Sequence, residues 1–145
     1  MTHRAENIMD AVTTTVKGLT TTGTRVERGR VYSVETAPAL TVEMGQDFVD
    51  KDSSDFVNAN RQLVVKITAI VKANSEPDST LNTIREEVYN ALIADRTLGA
   101  TAGVIDIWLD SDDEPELSSE ADQTIAKQQL NYVVKYRHSY TNAGA

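Results

Sequence analysis

Carboxylates are the side chains through which this sequence could most readily do chemistry. Eight of them fall between residues 106 and 123, with no lysine or arginine among them. Three of these, Asp110, Asp112 and Glu114, alternate as the first ligands of a calcium loop do. Pro115 stands where such a loop needs its turn glycine, however, and the twelfth position is Ala121 instead of glutamate. We therefore expect a solvated acidic segment and no metal site here.

The rest of the sequence lacks the residue sets that a catalytic site would need. General acid–base catalysis requires two carboxylates with separated pKa values inside a pocket, which an acidic turn does not offer. His3 and His138 have no second histidine at ligand spacing, and there is no cysteine. No phosphate-binding glycine loop and no nucleophile elbow occurs. We expect no catalytic residue, no cofactor and no metal, and hence a protein that is not an enzyme.

The distribution of charge points instead to a protein that works through its surface. The net charge is −8, and the acidic segment accounts for all of it, leaving 14 acids against 14 lysines and arginines elsewhere. Charge gathered in one place presents a fixed electrostatic surface. It argues against tight wrapping of nucleic acid, which needs clustered cations. No apolar stretch is long enough to cross a membrane, no secretory signal is recognisable, and the lack of cysteine fits a reducing cytoplasm.

Two amphipathic helices are predicted within a single domain, residues 1–145. In the first, Arg4 to Lys17, a stripe of apolar residues recurs every four positions, with Thr2 as its N-cap and Gly18 as its stop. The second begins after a cap at Asp78 or Ser79 and ends near Asp95-Arg96. We expect Gly99 to supply the left-handed residue at its exit.

Alternating or β-rich segments predict about five strands. These run from Arg25 to Glu35, Ala39 to Met44, Arg61 to Lys72, Val104 to Asp110 and Thr124 to His138. We expect a turn at Thr36-Ala37-Pro38, a long polar loop from Gly45 to Asn60, an acidic turn from Ser111 to Glu120, and a loose tail from Ser139 to Ala145. Half-polar alternation indicates a sheet with one covered face. The predicted fold class is α+β: a mostly antiparallel sheet with two helices on one face, in the order α-β-β-β-α-β-β.

Two sets of charged residues are the candidates for contacts with other molecules. The trio Arg25, Arg28 and Arg30 is the basic cluster, and we expect it to pair with acids of a neighbour or of the chain's own loops. Contact with nucleic acid is the alternative, but no interleaved aromatic residues support it. Trp108 and Tyr132 are expected to pack within the sheet, with an interface anchor as the alternative. The acidic candidates for an interface or a lumen are Asp47, Asp50, Asp52, Asp55, Asp110, Asp112, Asp113, Glu114 and Glu116.

The second half of the sequence resembles a known family. Its second helix ends in the run Tyr89 to Gly99, an acidic loop follows, and the last strand ends Val133-Val134-Lys135-Tyr136-Arg137. This arrangement is similar to the tail terminator, or tail completion, family of long-tailed bacteriophages, of the lambda minor tail protein U type. The most specific element is Ala94 to Gly99. The likeness covers roughly Arg4 to Tyr140, with the first helix and the hairpin Thr36 to Met44 in the same order, and it fails to match the loop Gly45 to Asn60.

The resemblance implies a structural role in the virion. Such proteins form a hexameric ring on the completed tail tube, stop its polymerisation and present a surface to the head connector, and DNA passes through the lumen without specific binding. It implies the tube protein and the connector as partners, no membrane, and a place at the head-proximal end of the tail after assembly in the host cytoplasm. Either acidic loop could line the lumen, because like charge keeps DNA from adhering.

Two other functions stay open at this point. One is a head-side neck protein or a tube subunit. The other is a small-molecule binding or hydrolytic α+β domain, which would need a concave pocket with convergent polar groups.

Overall fold

The computed structural model describes residues 2–29, 37–51, 54, 55, 57–72, 76–120 and 123–145. Its helices and strands, in chain order, are α1 (Arg4–Thr15), β1 (Val26–Arg28), β2 (Ala39–Asp50), β3 (Asn58–Lys72), α2 (Pro77–Ile93), β4 (Val104–Asp112), β5 (Glu116–Glu120) and β6 (Gln123–Ser139). The strands form one sheet in the order β1-β2-β3-β6-β4, with β5 alongside β6. The predicted α+β class and element order are confirmed, with β4 and β5 taking the place of one strand.

The last strand organises the sheet. Along 15 consecutive residue pairs β6 is hydrogen-bonded to β3, from Lys72 opposite Ile125 to Asn58 opposite Ser139. Its other side pairs first with β5 and then with β4, so these two strands follow one another along the same edge. All of these pairings are antiparallel.

One face of the sheet is covered by both helices. In α1, Ile8 and Val12 are fully buried, and in α2 the same holds for Ile84 and Val88. The helix α1 packs on β2 and α2 packs on β3, and these residues form one hydrophobic cluster with Leu63 of β3. Each such aliphatic side chain contributes about 1.5–3 kcal/mol on burial. On the other face of β3, the polar Gln62, Lys66 and Thr68 remain half-exposed, as the alternation predicted.

The cap and the end of α1 and the start of α2 differ from those predicted, because of local hydrogen bonds and a proline. His3 instead of Thr2 caps α1, since its Nδ1 accepts a hydrogen bond from the amide of Ala5 at 3.0 Å. The helix ends at Thr15, two residues early; the hydroxyls of Thr13 and Thr15 bond back to carbonyls four residues before them. At the start of α2, Pro77 occupies the first turn, where its missing N–H costs nothing, and no side chain caps the helix.

The predicted antiparallel hairpin around Pro38 is wrong. β1 pairs with β2 in parallel, Val26 opposite Leu40 and Arg28 opposite Val42. Parallel neighbours cannot be joined by a tight turn and need a longer connection. That connection includes residues 30–36, which lie outside the described part of the chain together with most of the predicted strand Arg25 to Glu35.

The predicted loop from Gly45 to Asn60 is also wrong, since most of it is β-strand. β2 continues to Asp50 and β3 begins at Asn58, so Asp47 pairs with Leu63 and Asp50 with Asn60. A register irregularity lies between Met44 and Asp47. Because such an irregularity shifts the inward and outward positions by one, it disguised the alternation that marks a strand.

The acidic segment is not a turn either. Ser111 and Asp112 belong to β4, and Glu116 to Glu120 form β5, which leaves only residues 113–115 between the two strands. Pro115, which has no amide to donate, lies in this break. The C-terminal residues, expected to be loose, are hydrogen-bonded: the amide of Arg4 donates to the carbonyl of Ala143 at 3.0 Å, and the Arg4 guanidinium to that of Ala145 at 2.7 Å.

Candidate functional site

The acidic segment forms one edge of the sheet, and its five candidate carboxylates fall into two groups. Asp112 points towards α2, where it pairs with Arg85 at 3.1 Å, and Asp113 accepts a hydrogen bond from the Asn131 side chain at 2.8 Å. The other three, Asp110, Glu114 and Glu116, are exposed, and none forms an ion pair with another described residue. These three can therefore act on a partner, whereas Asp112 and Asp113 are engaged within the chain.

The run Ala94 to Gly99 fastens the end of α2 to β4. The carboxylate of Asp95 accepts hydrogen bonds from the amides of Thr97 and Gly99 at 3.1 and 3.0 Å, and from the Thr97 hydroxyl at 2.8 Å. The bond from that hydroxyl is the main reason why the pKa of Asp95 is lowered. The reversal of the chain uses left-handed conformations at Leu98, Gly99 and Ala100, so the expectation for Gly99 is confirmed.

Arg96 completes this connection. Its guanidinium binds both carboxylate oxygens of Asp106 on β4, at 2.5 and 2.8 Å, a bidentate geometry that fixes orientation as well as distance. The hydrogen bond from Arg96 lowers the pKa of Asp106. The segment that carries the most specific sequence resemblance is thus a rigid exit from α2 that positions the acidic edge.

Asp47 lies in strand β2, facing the helices. One of its carboxylate oxygens accepts the hydroxyl of Tyr136 at 2.6 Å and lies 3.4 Å from the guanidinium of Arg61. Tyr136 is fully buried, and burial is the main cause that raises its pKa, so it stays a donor. The carboxylate of Asp47 is therefore engaged within the chain, where it joins β2 to β3 and β6.

Of the remaining candidate acids of the β2–β3 hairpin, the structure describes Asp50 and Asp55. Asp55 accepts the amides of Val57 and Asn58 at 2.8 and 2.7 Å. The bond from Asn58 is the larger cause of the lowered pKa of Asp55, followed by that from Val57. Asp50 ends β2. Asp52 lies outside the described residues. Asp55 therefore stabilises the chain where it enters β3, through its bonds to backbone amides.

Of the predicted basic trio, the structure describes Arg25 and Arg28, whereas Arg30 lies outside the described residues. Arg28 is paired within the chain, with Glu6 at 2.6 Å and Asp10 at 3.0 Å on α1. Its hydrogen bond lowers the pKa of Glu6. Among the described residues, Arg25 donates to two carbonyl oxygens, those of Pro38 and Thr21, at 2.7 and 3.0 Å, and to no carboxylate. The charge of Arg25 is therefore free to act on another molecule, while that of Arg28 is already compensated.

A groove between α2 and β4 was not predicted. It consists of two adjoining hollows of about 360 and 410 Å³ that share Asn82 and Arg85. Tyr132, which is buried in the core as expected, forms part of its floor with Leu109, and the partly exposed Tyr89 stands at its side. Trp108 pairs across the sheet with Val133 and is only half-buried. An arginine on the inward side of α2 was the one sequence signal for this groove.

The described residues contain no group of three or more histidines, aspartates or glutamates arranged to hold a metal ion. Among the same residues, no helix is long and apolar enough to cross a membrane. His138 is buried against Tyr136, and its ring lies edge-on to His3 with centroids 6.1 Å apart. The two histidines, remote in sequence, thus pack together where the first helix begins.

No protein-family model matches this chain, and no curated protein matches it. Its fold does match solved structures. One is a chain from the structure titled "Virion of native gene transfer agent (GTA) particle", with 16% sequence identity and a TM-score of 0.53. The match covers 94% of this chain and 92% of that chain. At this identity the comparison establishes a shared fold over nearly the whole of both chains.

Proposed function

We propose that this protein is a structural component of a phage-like virion and, within it, the terminator of the tail tube. The observation that carries the proposal is the fold shared almost end to end with a chain of a gene transfer agent virion. The sequence resemblance to tail terminators, centred on Ala94 to Gly99, points to the same kind of particle independently of that fold. In this proposal six copies form a ring that stops tube growth and presents a surface to the head connector.

The chemistry of the described residues favours work through surfaces over work on a substrate. Carboxylates that lie close to other groups, such as Asp95 and Asp106, are engaged in hydrogen bonds that hold α2 against β4. The groove beside α2 contains an ion pair between Arg85 and Asp112 but no nucleophile with an adjacent base. Among the described residues of this groove, no residue set supports the alternative of a hydrolytic domain.

The acidic edge is the better of the two predicted lumen linings. Asp110 and Glu116 are exposed and have no ion-pair partner among the described residues. Asp47 and Asp55, in contrast, are occupied by Tyr136 and by backbone amides. Uncompensated carboxylates repel the DNA backbone and let it pass without adhering. We therefore assign the lumen-facing role to the acidic edge, and assign to the β2–β3 hairpin a contact with the tube or the connector.

Electron microscopy of purified particles tests this function. The protein would carry a small gold-binding tag after residue 145, and its position would be compared in complete particles, isolated tails and particles from a strain lacking the gene. We expect label only at the head-proximal end of tails, and overlong tubes without heads when the gene is absent. Label along the whole tail would identify a tube subunit, and label on heads without tails a neck protein. Absence from purified particles would refute the proposal.

A further inference from the structure

The groove between α2 and β4 carries negative charge that its own residues do not neutralise. Arg85 lies at its centre and is neutralised by Asp112 at 3.1 Å. Three more carboxylates border the groove, those of Asp78, Glu86 and Glu114. All three are exposed, and none forms an ion pair with another described residue. The groove therefore favours an occupant that brings positive charge.

The walls of the groove define the kind of cation. Tyr89 is 42% exposed beside Glu86, and Leu109 and Tyr132 provide an apolar floor. Lysine and arginine have long apolar stems that pack on such surfaces while the charged end reaches a carboxylate. A guanidinium or ammonium over the ring of Tyr89 gains a further cation–π attraction. A basic side chain on a protein segment fits this combination better than a metal ion or a free amine does.

The same chain carries such cations at its opposite margin. β1 lies at one end of the sheet order and β4 at the other, about 20 Å apart at the usual strand spacing. In the segment between α1 and β1, Lys17 and Arg25 are exposed; among the described residues Arg25 donates to carbonyl oxygens only, and Lys17 has no partner. The exposed Glu27 reduces the net charge of this margin but leaves both cations accessible.

We infer that the groove between α2 and β4 receives the margin of a second copy that carries Lys17 and Arg25. The inference rests on the proposed ring and names the surfaces that would join its subunits. A contact between two different surfaces at opposite margins is heterologous, and repeated rotation about one axis closes it into a ring. Arg28 plays no part in the contact, because Glu6 and Asp10 of its own chain neutralise it.

Charge reversal with rescue tests the contact. The groove variant Glu86→Lys with Glu114→Lys and the margin variant Lys17→Glu with Arg25→Glu should each weaken self-association at least tenfold, measured by sedimentation equilibrium. The variant with all four changes should recover to within about threefold of the wild type, since the two sets of charges are exchanged. Circular dichroism and the melting temperature would verify that every variant is folded; if Arg25→Glu unfolds the chain, Lys17→Glu alone with Glu114→Lys serves in its place.

The control variant is Asp110→Lys with Glu116→Lys. It makes the same change in net charge on the same edge of the sheet but outside the groove, so it should associate as the wild type does. Three results would each overturn the inference. The groove variant could associate normally, or the variant with all four substitutions could be folded without recovering association. The wild-type chain could also stay monomeric at the highest concentration reached. The position of the protein in particles tests the terminator function separately. If label is found at the head-proximal end of tails and one of these results is also obtained, the proposed contact is refuted but the proposed terminator function is not.

Discussion

The contact between Asp47 and Tyr136 allows a quantitative test, because the sequence alone placed Asp47 in a surface loop. Its side chain is 18% exposed, and it accepts the hydroxyl of the fully buried Tyr136 at 2.6 Å. Replacing Asp47 by alanine would leave that hydroxyl buried without a partner, which costs about 1–3 kcal/mol. It would also remove the acceptor beside Arg61, at 3.4 Å.

We therefore expect Asp47→Ala to lower the free energy of unfolding by about 2–3 kcal/mol, since a hydrogen bond to a charged group is worth about 1.5–3 kcal/mol. For a domain of 145 residues, this corresponds to a fall in melting temperature of about 6–12 °C. Urea unfolding followed by circular dichroism measures the first quantity and a thermal scan the second.

A double-mutant cycle with Tyr136→Phe isolates the pair. The coupling between the two substitutions should exceed about 1 kcal/mol, because each removes the same bond. Asp110→Ala is the control: this aspartate is exposed and has no ion-pair partner among the described residues, so its loss should stay within about 0.5 kcal/mol. A coupling near zero, or equal effects of the two aspartate substitutions, would refute the placement of Asp47 against the core.

Two further predictions concern the backbone and the acid response. Gly103→Ala should destabilise the fold by about 2–4 kcal/mol in urea unfolding, because φ is +85° and the new Cβ would meet the Arg4 guanidinium and lie 2.5 Å from the carbonyl oxygen of Arg137. Gly18→Ala, with φ of +86° and no atom within 4 Å, should cost only about 1 kcal/mol, and equal costs would contradict the close approach at Gly103. The hydrogen bond from Arg96 lowers the pKa of Asp106 in the folded state. The carboxylate therefore contributes its full stabilisation at pH values above its unfolded pKa of about 4, and this contribution is lost as the pH falls through the folded pKa. The difference in urea midpoint between wild type and Asp106→Asn should therefore be constant from pH 7 to about pH 5 and shrink below pH 4; a gap that widens in acid would show the opposite sign.

The spacing of apolar residues along the sequence predicted most of the fold. Strict alternation in Arg61 to Lys72 and Thr124 to His138 predicted the two central strands, since both have one face buried along their length. The stripes through Ile8 and Ile84 predicted the two helices in the same way. Burial of one face is a local property of the sequence, so these elements were accessible without coordinates.

The errors arose where partners remote in the chain decide local structure. The second half of β2 reads as polar loop because its irregularity near Gly45 interrupts the alternation, and its pairing with β3 holds it extended. The break at Pro115 made the end of β4 and the whole of β5 look like a turn, although β6 pairs with both strands. Parallel pairing of β1 with β2 leaves no sequence signature in so short a strand.

The candidate residues divide along the same line. Glu114 is exposed, and its role at an interface or a lumen stays a prediction. Asp47, Asp112 and Arg28 are paired within the chain, because each has a partner 14 or more residues away that no spacing rule identifies. The groove between α2 and β4 was missed for this reason: its walls come together only after the sheet has formed.

The central position of β6 has a consequence for synthesis. The strand that joins β3 to β4 and β5 follows all three in the chain and therefore leaves the ribosome after them, and until it does, β4 and β5 lack the strand with which they pair in the observed sheet. Pairing between segments so far apart in sequence is also slow, because a long chain must be closed before any contact is gained. Nascent chains in which β6 has not yet been synthesised would therefore lack the central strand that holds β4 and β5 in the sheet.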